Sequence, residues 1–127
     1  MLKKDDKGNL EITRGNMLPL TITTNNKDGS PYTFQKGDVV RFSIMEKKDC
    51  KSVVLQKDVE VIEANEKVDI TITADEMKIG DFISKPVEYW YEVELNPDKP
   101  NTQTIIGYTK KDGAKILTLT PESGVKE

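Results

Sequence analysis

A chain of 127 residues suffices for one domain that buries roughly two-thirds of the surface its unfolded form exposes. It is 35% hydrophobic and 32% charged with a formal charge of -3, so it has no basic field to hold nucleic acid by counterion release or to meet an anionic membrane surface. With no histidine and one cysteine, the chain lacks the usual base of hydrolase triads and the commonest metal ligand, and it can form no intrachain disulfide. Composition therefore points to a non-enzymatic protein without a cofactor or metal, made in the cytoplasm, since residues 1–9 hold no apolar targeting run and no segment reaches membrane-span length.

Residues 1–9 are charged and carry Gly8, which predicts a flexible N-terminal arm before a single domain over 10–122 and a C-terminal tail over 123–127. Leu10 and Ile12 alternate with polar neighbours, Arg14-Gly15-Asn16 interrupts, and Leu18, Leu20 and Ile22 alternate again, giving two short strands with a bend. Pro19 donates no ladder hydrogen bond, so its strand lies at an edge or has its outward amide position at the proline. Residues 25–31 are dense in turn formers, and Lys36-Gly37-Asp38 makes a further turn. Val40, Phe42 and Ile44 then share one face of an inner strand.

After a basic turn over 47–51 come apolar positions at 53–55, at 59–62 and at 68, 70 and 72, spaced as strands of a sandwich or barrel. Thr73-Ala74-Asp75-Glu76 matches a capping box and predicts one helical turn ending near Gly80. The stretch 86–95, PVEYWYEVEL, reads as the central strand. Val87, Tyr89, Tyr91, Val93 and Leu95 fall on one side, and Glu88, Trp90, Glu92 and Glu94 on the other. Thr104, Ile106 and Tyr108 form the next inward set, Lys111-Asp112-Gly113 a hairpin turn, and Leu117 and Leu119 the inner face of the last strand.

These elements predict an all-β fold, an antiparallel sandwich or barrel of about eight strands with one short helical turn, which the family resemblance given below narrows to an immunoglobulin-like antiparallel β-sandwich. In such sandwiches a turn followed by an aromatic strand marks a corner between sheets, so Ile79 and Phe82 are expected to plug it, with the Tyr89 and Tyr91 hydroxyls bonded nearby. Trp90 sits among glutamates on the opposite, more open face. With Glu88 and Glu92 it forms the candidate interface, because tryptophan is enriched where subunits meet. Strand alternation keeps Trp90 from joining the two tyrosines in one sugar-stacking platform.

Other constellations are weaker. Glutamates on one strand face lack the cleft geometry of a glycosidase. The loop 24–29 lacks two charged ligands of a calcium loop, since Thr24 stands at its first position and Gln35 at its twelfth. Cys50 lies among lysines but has no histidine base. Arg14-Gly15-Asn16 is a partial adhesion tripeptide whose acidic member is missing, and a tight turn accounts for it.

Taken together, ITRGNMLPLTIT, a DG loop, YTFQKGDVVRFSIMEKK, VVLQKDVEV, VDITITADEMKIGD, PVEYWYEVELNPD and IIGYTKKDGAKILTLTPE resemble small proteins of phages and prophages of Gram-positive bacteria. They also resemble the amino-terminal domain of phage upper baseplate proteins, which carry an early Arg-Gly-Asp/Asn turn, alternating leucines and a Gly-Asp before a strand. The resemblance spans residues 10–122 and implies an immunoglobulin-like structural or attachment module of a tail or baseplate, made in the host cytoplasm and carried in the virion. Its implied partners are other tail or baseplate proteins or further copies of itself, with no nucleic acid and no membrane. Upper baseplate proteins continue into segments that reach the receptor-binding protein. A single-domain chain therefore reads as a connector or accessory protein, and a carbohydrate-binding module for cell-surface glycans is the alternative.

Overall fold

The alternation along residues 87–95 organises the molecule: Tyr89, Tyr91, Val93 and Leu95 are buried, while the residues between them are half-buried at most. The structure is a computed structural model that describes residues 2–47, 52–80 and 83–122. Among these residues it contains nine strands and no helix. They are β1 (Lys3–Lys4), β2 (Leu10–Thr13), β3 (Leu18–Ile22), β4 (Val39–Met45), β5 (Val53–Glu60), β6 (Val68–Ile72), β7 (Val87–Leu95), β8 (Gln103–Ile106) and β9 (Lys115–Thr120). The fold is all-β, as its patterning predicts.

Seven strands form one sheet in the order β1-β2-β9-β7-β4-β5, with β8 also on β7, and β3 and β6 form a second sheet. Because β4 occupies one edge of β7 from Trp90 to Leu95, β9 and β8 share the other, with β9 along Val87–Tyr91 and β8 along Val93–Leu95. Residues 107–114 leave the sheet between them and turn back through a Thr109–Gly113 bridge. The sheet is mixed rather than wholly antiparallel, since β2 runs parallel to β9 with Leu10 opposite Leu117. Nearly the whole chain separates these two strands, so no tight turn constrains their direction.

The core lies between the sheets. Leu18, Ile22, Val68, Ile70 and Ile72 of the small sheet meet Leu10, Ile12, Val40, Phe42, Ile44, Leu117 and Leu119 of the large one. Each such side chain contributes about 1.5–3 kcal/mol when fully buried. Pro19 lies where expected, on a strand whose sole partner among the described strands is β6.

Three elements differ from the sequence reading. Residues 3–9 do not stand apart from the domain as an arm: Lys3 and Lys4 pair with Glu11 and Leu10, and the Asp5 carboxylate accepts from the Lys7 and Asn9 amides. Val53–Glu60 is one continuous strand, its apolar alternation interrupted by Lys57, which pairs at 2.8 Å with Glu76. The predicted helical turn at Thr73 is a hydrogen-bonded turn and not a helix, closed by Met77 N–H to the Thr73 carbonyl at 3.0 Å and Lys78 N–H to the Asp75 carbonyl at 3.2 Å. The reciprocal capping bonds are present, Glu76 N–H to Thr73 Oγ1 at 3.2 Å and Thr73 N–H to Glu76 Oε1 at 2.9 Å.

Candidate interaction face

Residues directly opposite each other in a ladder share a face, so register alone builds the outer surface of the large sheet. Val53 lies opposite Met45, Met45 opposite Trp90, and Trp90 opposite Ile116. An apolar row thus crosses four strands on the side away from the core. A register shift between Ile44 and Met45 inserts an extra residue into β5 at this row, and Val53 and Val54 are both exposed there. Acidic positions flank the row. On one side Glu88 faces Thr118, which faces Glu11; on the other Glu92 faces Ser43, and Glu94 faces Arg41. Arg41 in turn grips Asp58 through Nε at 2.8 Å and Nη2 at 3.0 Å.

Trp90 is half-buried and its indole nitrogen is covered, so it is less open than its glutamate neighbours suggest. Beside it a recess of about 190 Å³ is lined by Met45, Trp90, Tyr91, Glu92, Gly107, Tyr108, Ala114 and Lys115. Gly107 is needed at this wall, because a Cβ there would stand 2.7 Å from the Thr104 methyl. Burial, with the neighbouring Glu94 charge adding to it, pushes the Glu92 carboxyl above its ordinary range. Tyr108, predicted to face inward, is instead 72% exposed, because β8 ends at Ile106 and the following loop carries it out of the sheet. Trp90, Glu88 and Glu92 therefore share one face, and Tyr108, which the alternation assigns inward, borders the recess beside Trp90 and Glu92.

The expected corner is partly present. Ile79 and Tyr89 are buried in the core, and the Tyr89 hydroxyl stands 2.9 Å from where a Cβ on Gly80 would lie. Phe82 lies outside the described residues, as does Cys50. Tyr91 does not bond at the corner. Two residues further along the strand, its hydroxyl donates to the Gly8 carbonyl of the N-terminal turn, and burial first, then the Asp5 charge, pushes its pKa up to about 12.

The corner is held instead by Arg14, whose guanidinium donates to the carbonyls of Ile79 at 2.9 Å, Gly80 at 2.8 Å and Lys78 at 3.2 Å, and to Glu122 Oε1 at 2.8 Å. Its side chain is 11% exposed, so the Arg14-Gly15-Asn16 turn is committed to the chain's own backbone. Gly15, at φ 83°, donates to the Met77 carbonyl across the same junction.

A second lock went unread in the sequence, where its members look like turn punctuation. Asp38 accepts from the Tyr32 hydroxyl at 2.7 Å, the Gln35 amide at 2.9 Å and Asn96 Nδ2 at 3.1 Å. Asn96, 1% exposed and at φ 49°, exchanges bonds with Val39 through its amide and side-chain oxygen. Burial works against the Asp38 carboxylate, but the donors that surround it leave its pKa lowered. In the DG loop, Asp28 accepts from Ser30 N and Oγ, and no cluster of three or more acidic or thiol ligands occurs among the described residues. No helix among them is long and apolar enough to cross a membrane.

Comparison of the chain with protein-family models, with curated proteins and with solved structures found no match.

Proposed function

We propose that this chain is a non-enzymatic structural or attachment module of a phage or prophage tail or baseplate, working in the virion through protein–protein contacts on the outer face of its large sheet. The observation that carries the reading is the apolar row Val53, Met45, Trp90 and Ile116 on the outer face of the large sheet, with Val53 exposed, Trp90 and Ile116 half-buried and Met45 buried between them, rimmed by Glu88 and Glu92. An apolar centre with a polar rim is the anatomy of a protein interface. The immunoglobulin-like form is supported by strand order: β3 lies beside β6 in one sheet, and β4, β7 and the β8–β9 line lie side by side in the other, as in two-sheet sandwiches of that kind. Partners on this reading are other tail or baseplate proteins or a second copy.

Mass spectrometry of purified particles from a phage stock or induced lysogen carrying the gene tests the proposal. A fixed copy number relative to the tail proteins is expected, and abundance in the lysate with absence from particles overturns it. Trp90→Ala should then lower incorporation while the isolated chain keeps its far-ultraviolet spectrum.

A carbohydrate-binding module is the second reading, favoured by the placement of exposed Tyr108 and half-buried Trp90 around one recess. A glycan array with no signal above background removes it.

A further inference from the structure

We propose that the notch where β8 and β9 part along β7 is a binding site for a small oxyanion, a carboxylate or phosphate monoester, held by the Lys115 ammonium. Lys115 opens β9 opposite Tyr91 and is 8% exposed. Its stem runs beneath the N-terminal turn, with Cδ and Cε each 3.4 Å from where a Cβ on Gly8 would lie. Among the described residues its ammonium makes no ion pair and no hydrogen bond. A nearly buried cation without a counter-charge carries a desolvation cost that an entering anion offsets.

The surroundings supply the rest of a site. Lys115 borders a recess of about 330 Å³ whose wall includes Lys4, Lys7, Ile105, Ile106 and Thr109. Asp5 and Asp6 stand at the same recess, but the Asp5 carboxylate already accepts from Lys7 N, Asn9 N and Asn9 Nδ2. The Tyr91 hydroxyl is likewise committed to Gly8. Lys4, Lys7 and Lys115 thus border the recess with Asp5 and Asp6, Glu92 stands with Lys115 at the adjoining recess, and Ile105 and Ile106 offer an apolar wall to the organic part of a bound anion. This site adjoins the recess beside Trp90, which Tyr91, Gly107 and Lys115 also line, but it does not depend on the tail or baseplate reading.

The test is a titration of the full chain with inorganic phosphate and, separately, with acetate at constant ionic strength, followed through the backbone amide resonances of Gly8, Gly107 and Lys115. Saturable shifts confined to these amides are expected. Saturation by phosphate alone marks a phosphate site, by acetate alone a carboxylate site, and by both a general oxyanion site. Lys115→Met should weaken binding roughly tenfold to a hundredfold, the loss expected for one hydrogen bond to a charged group, while Lys115→Arg retains it. If Lys115→Met does not fold, Lys7→Gln at the exposed mouth serves instead and should weaken binding about two- to fivefold. Shifts that grow without saturation over the whole surface, or an unchanged affinity in the folded variant, overturn the proposal.

Discussion

Replacing Arg14 by Ala tests whether the corner is held by one guanidinium. The substitution removes four hydrogen bonds at once, three to consecutive carbonyls of the chain at 78–80 and one to Glu122. Each bond from a charged donor is worth about 1.5–3 kcal/mol, but bonds that act as a unit do not add. Glu122 is 35% exposed in its side chain, so its ion pair counts for about 0–1 kcal/mol, and most of the loss falls on the carbonyls. A loss of about 3–5 kcal/mol follows, from three carbonyls left without a donor at about 1–3 kcal/mol each and summed at less than full additivity. Domains of this size lose roughly 4 °C of melting temperature per kcal/mol, so Arg14→Ala should melt about 12–20 °C lower. Arg14→Lys keeps the charge but not the planar fork and should recover less than half of the loss. Urea titration followed by circular dichroism gives the free energies, and Glu122→Gln should cost under about 1 kcal/mol. An Arg14→Ala chain within about 1 kcal/mol of the parent, or an Arg14→Lys chain equal to it, would refute the clamp.

Gly80→Ala places a methyl group 2.9 Å from the Tyr89 hydroxyl at a backbone φ of 68°, and should destabilise the fold by about 1–3 kcal/mol in the same urea assay. Burial, before the bond to Asp38, pushes Tyr32 up to about 12, and Tyr91 is pushed up to about 12 as well. Unfolded phenols lose their protons near 10, so folding holds these protons more tightly and stability should fall as pH rises from about 10 to about 12. Tyr91→Phe should flatten that alkaline limb, and an unchanged slope counts against the assignment. Glu76 is held down to about 2, first by Lys57 and then by the Thr73 amide. Its contribution is therefore complete above the ordinary carboxylate range and is lost as pH falls towards about 2. Glu76→Gln should make the acid limb of a stability–pH profile shallower.

Period-two alternation made the central strand legible, because Tyr89, Tyr91, Val93 and Leu95 have no polar interruption and all face the core. The same signal failed along residues 53–60, where Lys57 occupies an inward position and a bulge places two valines at one row. An inward lysine is readable only once Glu76 is seen beside it, nineteen positions away in the chain. Tyr108 was misassigned for a related reason: the alternation Thr104, Ile106, Tyr108 continues on paper through Gly107, where the strand has already ended. Asp38 and Asn96 were read as turn formers, which they are, but their spacing of 58 residues hides the bond between them. For the candidate interface, alternation alone placed Trp90 with Glu88 and Glu92. The apolar row that joins Trp90 to Met45, Val53 and Ile116 needs the register of three ladders, which no local pattern contains.

Several polar residues that could carry chemistry are spent within the chain. Arg14 is consumed by the corner, Asp38 and Asn96 by the start and end of two neighbouring strands, Glu76 by its cap and Lys57, and Tyr91 by the N-terminal turn. Apart from the Glu76 cap, each bond ties together segments far apart in sequence, so these groups hold the two sheets and their connections in one arrangement. Groups committed in this way cannot also move a proton or grip a substrate without releasing what they hold. The surface of the large sheet is arranged differently: its apolar row sits outside the core, on rigid strands rather than loops, with charges at the borders. Rigid placement of an apolar centre lowers the ordering cost of association, which supports the proposal that this face meets a protein partner.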